Sequence, residues 1–177
     1  IVIGAFALIV IFVFLFRLIT NMSERSVRIL TLALFAFIIL AFAGILIFFS
    51  YISPTKDSHI MLDESVYLAQ HPDQVFTADS FYTDYYEIYG NTYFFVFLIR
   101  GFISFLNIFG ISGYQLALYI LNCIMLCLGI LFAFMAAKRV LGIRQACFLL
   151  LLFAINPVYY GMAIWPYSSS FSIPFMT

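Results

Sequence analysis

ISGYQLALYILNCIMLCLGILFAFMAA, residues 111–137, carries no charge over its whole length and is closed by Lys138 and Arg139. At ~1.5 Å per residue a helix of that length rises roughly 40 Å, more than the ~30 Å hydrocarbon core of a bilayer. Residues 29–52 repeat the pattern without a charge, and residues 1–19 do so with Arg17 near their end. A fourth apolar stretch, residues 145–164, ends at Trp165-Pro166. The expected fold is therefore all-α, a polytopic transmembrane helical bundle in one membrane domain, with spans at about 1–19, 29–52, 111–137 and 145–164.

Composition agrees with this. Of the 177 residues 66% are hydrophobic and 9% charged, and the mean hydropathy is +1.13. A soluble domain is nearer half apolar and one quarter charged, and eight acids with eight bases cannot coat a core of this size. A net charge of zero without a basic run argues against nucleic acid as a partner. The chain opens on Ile1 within an apolar run and closes at Thr177 just after Pro174, and it reads as an excerpt of a longer protein.

Basic residues set the orientation. Arg17, Arg25 and Arg28 flank one short loop, and Lys138, Arg139 and Arg144 another, which places both on the cytoplasmic side. The loop 53–92 then lies outside and holds seven of the eight acids: Asp57, Asp63, Glu64, Asp73, Asp79, Asp84 and Glu87. Leaving the cytoplasm at Arg28 and returning at Lys138 takes an even number of crossings, so the apolar stretch 93–109 is expected not to cross. Within it Tyr93, Arg100, Ser104 and Asn107 recur at helical spacing, opposite Phe95, Leu98, Phe102 and Phe109. This is the pattern of an interfacial or re-entrant helix. The alternative is an ordinary span whose Arg100 is paired inside the bundle.

Polar chemistry is confined to the outer loop. It contains Asp63-Glu64-Ser65-Val66-Tyr67-Leu68-Ala69 and the tyrosine-rich run Phe81 to Asn91. A carboxylate at the bilayer surface can act as general base on a hydroxyl. Asp63 also precedes an apolar helical pattern, as a helix N-cap does. The tyrosines fit either an interfacial belt or a stacking platform for a sugar. His59 and His71, 12 residues apart in a loop, lack a metal-ligand spacing, and no metal site is expected. Cys123, Cys127 and Cys147 read as small hydrophobes within apolar helices rather than as a disulfide framework. The glycosylation pattern Asn21-Met22-Ser23 falls in a cytoplasmic loop and is read as chance.

Asp63-Glu64-x-x-Tyr67 with Ala69, directly after a span, resembles the first outer loop of GT-C glycosyltransferases, most of all the protein O-mannosyltransferase and aminoarabinose transferase-like group. Tyr86-Glu87-Ile88-Tyr89-Gly90-Asn91 resembles the Tyr-Pro-Asn-Asn segment of many bacterial members, which precedes an amphipathic juxtamembrane helix ending in Phe-Gly, as Phe109-Gly110 does. Asn156-Pro157 through Tyr167-Ser168-Ser169 is similar to a stretch in which a helix ends at Pro and re-emerges on the outer face. The resemblance covers about residues 50–177. Gly90 stands where Pro is common, and Ser168-Ser169 replace an acidic position.

The resemblance implies a GT-C-like amino-terminal portion whose large outer loop contains short juxtamembrane helices. It implies a cell-membrane, multi-pass glycosyltransferase that takes a sugar from a polyprenyl-phosphate-linked donor without a cofactor, with an unknown acceptor. It makes Asp63 the catalytic base and places Glu64, Tyr67, Tyr89, Asn91 and Arg100 around the substrates. Arg100 or Lys56 would meet the charge developing on the lipid phosphate. The competing classes are a transporter or flippase, which usually carries ionisable residues or broken helices at mid-membrane, and a noncatalytic membrane subunit.

Overall fold

The computed structural model describes residues 2–50, 57–74 and 93–163. Among these are seven helices and no strand: α1 (Val2–Thr20), α2 (Glu24–Phe49), α3 (Asp57–Gln70), α4 (Tyr93–Ile108), α5 (Tyr114–Leu141), α6 (Ile143–Ile155) and α7 (Pro157–Ala163). Two of them, α2 and α5, are long and apolar enough to cross a membrane, and the bent pair α6–α7 makes a third if counted as one span. Much of their apolar surface faces outward; Leu40, Ile47 and Phe48 of α2 are each at least 70% exposed. A patch of that kind needs an apolar medium rather than water.

Local signals explain the helix ends. Ser23 takes an extended conformation and its Oγ accepts from the Ser26 amide at 3.2 Å, which caps α2. Glu24 and Arg28 pair at 2.8 Å across the first turn. Lys138 and Arg139 occupy the last turn of α5, where positive charge meets the helix dipole. The chain turns into α6 at Gly142, whose φ of 94° and ψ of 169° suit glycine alone. The predicted span 145–164 is broken rather than continuous. Pro157 lacks the amide that would carry α6 onward and starts α7 instead, at a bend of 60°. Asn156 Oδ1 accepts from the Val158 amide at 3.1 Å and caps the new helix.

Helix α6 packs on α1, α2 and α5. Its small residues Ala146 and Ala154, with Leu150, meet Ile38 and Phe42 of α2 and Leu126, Ile130 and Phe134 of α5, the close approach that small side chains permit between membrane helices. A second cluster at the basic end joins Ile19, Val27 and Cys147. All three cysteines are free, and Cys123 and Cys147 are buried.

Two long-range bonds fix the direction of the bundle. Arg144 donates to the Met22 carbonyl at 3.3 Å, so the two basic loops meet at one end. Gln115 Nε2 donates to the Ser50 carbonyl at 3.1 Å, so α2 ends where α5 begins, at the other. The polypeptide between Ser50 and Gln115 leaves and rejoins the bundle at a single end.

Helices α3 and α4 pack against each other at that end. Met61, Leu62 and Leu68 of α3 meet Phe95, Val96, Ile99 and Ile103 of α4 and Leu118 of α5. The buried Ser65 hydroxyl bonds to the carbonyls of Met61 and Val96. At 16 residues α4 rises about 24 Å, short of the ~30 Å core. Its faces differ from the sequence reading in one respect. Phe95 is buried against α3, while Phe94, Phe105 and Ile108 are exposed. The helix therefore carries two apolar faces, and Arg100, Ser104 and Asn107 form an edge between them, because α3 as well as the surroundings must be served.

Candidate functional site

The site is built where α3 leans on the start of α5. Because α3 begins at Asp57, Asp63 falls in the middle of the helix, and the N-cap reading of this residue is overturned. At 3.6 residues per turn Leu62, Asp63, Val66, Tyr67 and Gln70 share one face. Glu64, Ser65 and Leu68 turn the other way, into the core.

The first face borders a cavity of about 680 Å³. Asp63, Tyr67 and Gln70 line one wall, Ser112 to Leu116 at the start of α5 line another, and Ser50 closes the end of α2. The cavity thus collects one carboxylate, two phenols, two carboxamides and two serine hydroxyls beside apolar Leu62 and Val66. Gly113, the N-cap of α5, brings no side-chain bond to the first-turn amides. Such a helix end favours an anion.

Around the carboxylate, His59 Nε2 lies 3.3 Å from Asp63 Oδ2, one turn earlier on α3. Both side chains are well exposed, at 59% and 43%. The Tyr67 hydroxyl donates to Gln74 Oε1 at 2.7 Å, and its ring stacks on His71 at 4.3 Å between centroids. On the far side of the cavity the Tyr114 hydroxyl donates to Asn107 Oδ1 at 2.7 Å and ties α5 to the end of α4.

The residues expected from sequence separate into three groups. Asp63 and Tyr67 line the cavity together. Glu64, 1% exposed, lies on the core face of α3, and Arg100 donates to the Pro72 carbonyl at 2.9 Å, so neither borders it. Tyr89, Asn91 and Lys56 lie outside the described residues. His59, Gln70, Ser112 and Gln115 were not anticipated. The i,i+4 spacing of His59 and Asp63 would have joined them had a helix been placed over 57–70. No group of three or more potential metal-ligating side chains occurs among the described residues.

No protein-family model, no curated protein and no solved structure matches this chain. The geometry of the cavity and its position in the bundle are therefore the grounds for a functional reading.

Proposed function

We propose that this chain is part of a membrane glycosyltransferase that moves a sugar from a polyprenyl-phosphate-linked donor to an acceptor on the outer face of a cell membrane. The observation that carries the reading is the placement of Asp63. It lines a partly polar cavity at the end of the bundle opposite the basic loops, beyond the apolar length of α2 and α5.

In the proposed reaction the acceptor oxygen attacks the anomeric carbon of the donor while Asp63 takes the hydroxyl proton. The bond from that carbon to the phosphate oxygen breaks, and the lipid phosphate leaves with the electron pair. The start of α5, which lines the same cavity, would favour the charge that collects on the phosphate. His59 holds one carboxylate oxygen in place. Arg100 braces α4 against the turn after α3 and positions the wall rather than the phosphate.

A transporter reading draws on the broken pair α6–α7, since interrupted helices build transporter sites. At this break, however, the Ala154 carbonyl accepts from the Tyr160 hydroxyl at 2.7 Å, and at the far end of α7 the Met162 and Ala163 carbonyls accept from Asn122 Nδ2 at 2.6 and 3.1 Å. They are used to close the bundle, and the transferase reading is preferred. The test is to incubate the reconstituted protein with lipid-linked sugars and acceptor candidates and measure released polyprenyl phosphate. Release that depends on the protein supports the reading; transmembrane movement of the intact lipid without release contradicts it.

A further inference from the structure

Six of the eight basic residues gather at the end of the bundle where Arg144 donates to the Met22 carbonyl at 3.3 Å. Arg17 lies in the last turn of α1, Arg25 and Arg28 near the start of α2, Lys138 and Arg139 in the last turn of α5, and Arg144 at the start of α6. All six are exposed. The chain does little to neutralise them. Glu24 is the only acid outside residues 57–87, and Arg28 engages it at 2.8 Å. Arg17, Arg25, Lys138 and Arg139 make no ion pair and no side-chain hydrogen bond among the described residues. The dipoles of α1 and α5 offset part of the charge at their ends, but Arg25 stands in the first turn of α2, where a positive charge opposes the dipole. Charge of one sign held this closely repels itself, and an anion from outside relieves it.

We infer that this end of the bundle binds anionic phospholipid, its phosphodiester among the unpaired basic groups and its acyl chains along the neighbouring apolar side chains. Leu18, Ile29, Val140 and Leu141, beside Arg17, Arg28 and Arg139 in the chain, are each more than half exposed. A soluble polyanion would meet the charges and leave these side chains uncovered, whereas an amphiphile meets both. Guanidinium forks donate paired N–H groups to phosphate oxygens, and basic residues at the ends of membrane helices draw anionic head groups. A zwitterionic lipid carries its own cation and gains less. This holds whether or not the chain transfers sugar, because the patch lies at the end opposite the Asp63 cavity.

The experiment adds phosphatidylglycerol or phosphatidylcholine of matched acyl chains to the purified protein in detergent and counts retained lipid by native mass spectrometry. Phosphatidylglycerol should be held at least about tenfold more tightly, and less so as salt rises. Arg25→Gln combined with Arg139→Gln removes two charges that make no bond to the protein, and should lower this retention at least about tenfold. Arg25→Lys combined with Arg139→Lys keeps the charge and should stay within about threefold of the parent. Without added lipid, the unfolding midpoint of the Gln protein should equal or exceed that of the parent, since Arg25 no longer opposes the α2 dipole. That midpoint separates lost binding from lost fold. Equal retention of the two lipids by the parent, or parent-level retention by the well-folded Gln protein, would overturn the inference. Displacement of the lipid by inorganic phosphate would assign the patch to a free anion and overturn phospholipid as its occupant.

Discussion

The side-chain amide of Gln115 donates to the carbonyl oxygen of Ser50 at 3.1 Å and fastens the first turn of α5 to the residue that closes α2. Everything between these two residues starts and finishes at one end of the bundle. The Arg144–Met22 bond, at 3.3 Å, does the same for the opposite end. Together they turn a rule about basic loops into a geometric arrangement with testable sides.

Accessibility checks that arrangement. With Cys123, Cys127 and Cys147 replaced, Ser112→Cys and Gln70→Cys should react with an impermeant thiol reagent added on one side of the membrane. Ser23→Cys should react only from the other. All three positions lie outside the apolar lengths of α2 and α5. Labelling of Ser112→Cys and Ser23→Cys from the same side would show that α4 crosses and that the bundle is inserted differently.

Asn122 offers a test of how the far end of α7 is held against α5. It is fully buried, and its amide serves two carbonyls of α7. Asn122→Leu should destabilise the protein by about 1–2 kcal/mol, since it strands buried carbonyls although membrane hydrogen bonds are worth less than those lost in an apolar solvent. Thermal unfolding in detergent should show a lowered midpoint. An unchanged midpoint would mean that packing alone holds the end of α7.

Gly142 should resist substitution for a backbone reason. At φ 94° and ψ 169° an added Cβ is strained although the nearest atom, Gln145 Oε1, is 3.5 Å away. Gly142→Ala should therefore cost about 1–3 kcal/mol. At Gly44 of α2 an added methyl group would meet nothing within 4 Å, and Gly44→Ala should be neutral or stabilise by up to about 1 kcal/mol. Equal effects of the two changes in unfolding experiments would contradict the assigned turn.

The helical class and the long apolar elements were legible in the sequence because an uncharged run such as 111–137 has few other solutions. The pairing of basic loops was legible too, from Arg25, Arg28, Lys138 and Arg139. The helix over 57–70 was not. Its apolar and charged residues alternate irregularly, because one face meets α4 and another borders a polar cavity. That omission hid the His59–Asp63 contact, made Asp63 look like a cap, and left Glu64 beside its neighbour when the helix turns it to the core. The two apolar faces of α4 were missed for a related reason: a sequence stripe shows where polar residues lie, and does not say which apolar face meets protein.

The His59–Asp63 pair should matter little to stability. Both groups are exposed and one turn apart, a setting in which ion pairs contribute less than about 1 kcal/mol. His59→Ala should leave the unfolding midpoint within about a degree or two of the parent. Because His59 orients the base, transfer should slow in His59→Ala, while His59→Gln, which keeps a donor, should retain more of it; unchanged transfer in His59→Ala would show that the pair only decorates the helix surface. A large loss of stability in His59→Ala would contradict the exposed placement of α3.

Replacement of Asp63 by Asn tests the central claim most directly. The substitution keeps size and shape at a mid-helix, partly exposed position, so stability should change by no more than about 0.5 kcal/mol. The amide cannot take a proton from the acceptor, and the loss of a general base lowers rate by about 10²–10⁴. Release of polyprenyl phosphate from a lipid-linked sugar, measured on parent and Asp63→Asn preparations of matched unfolding midpoint, should fall at least about a hundredfold. Turnover by the well-folded Asp63→Asn protein at the parent rate would contradict the account.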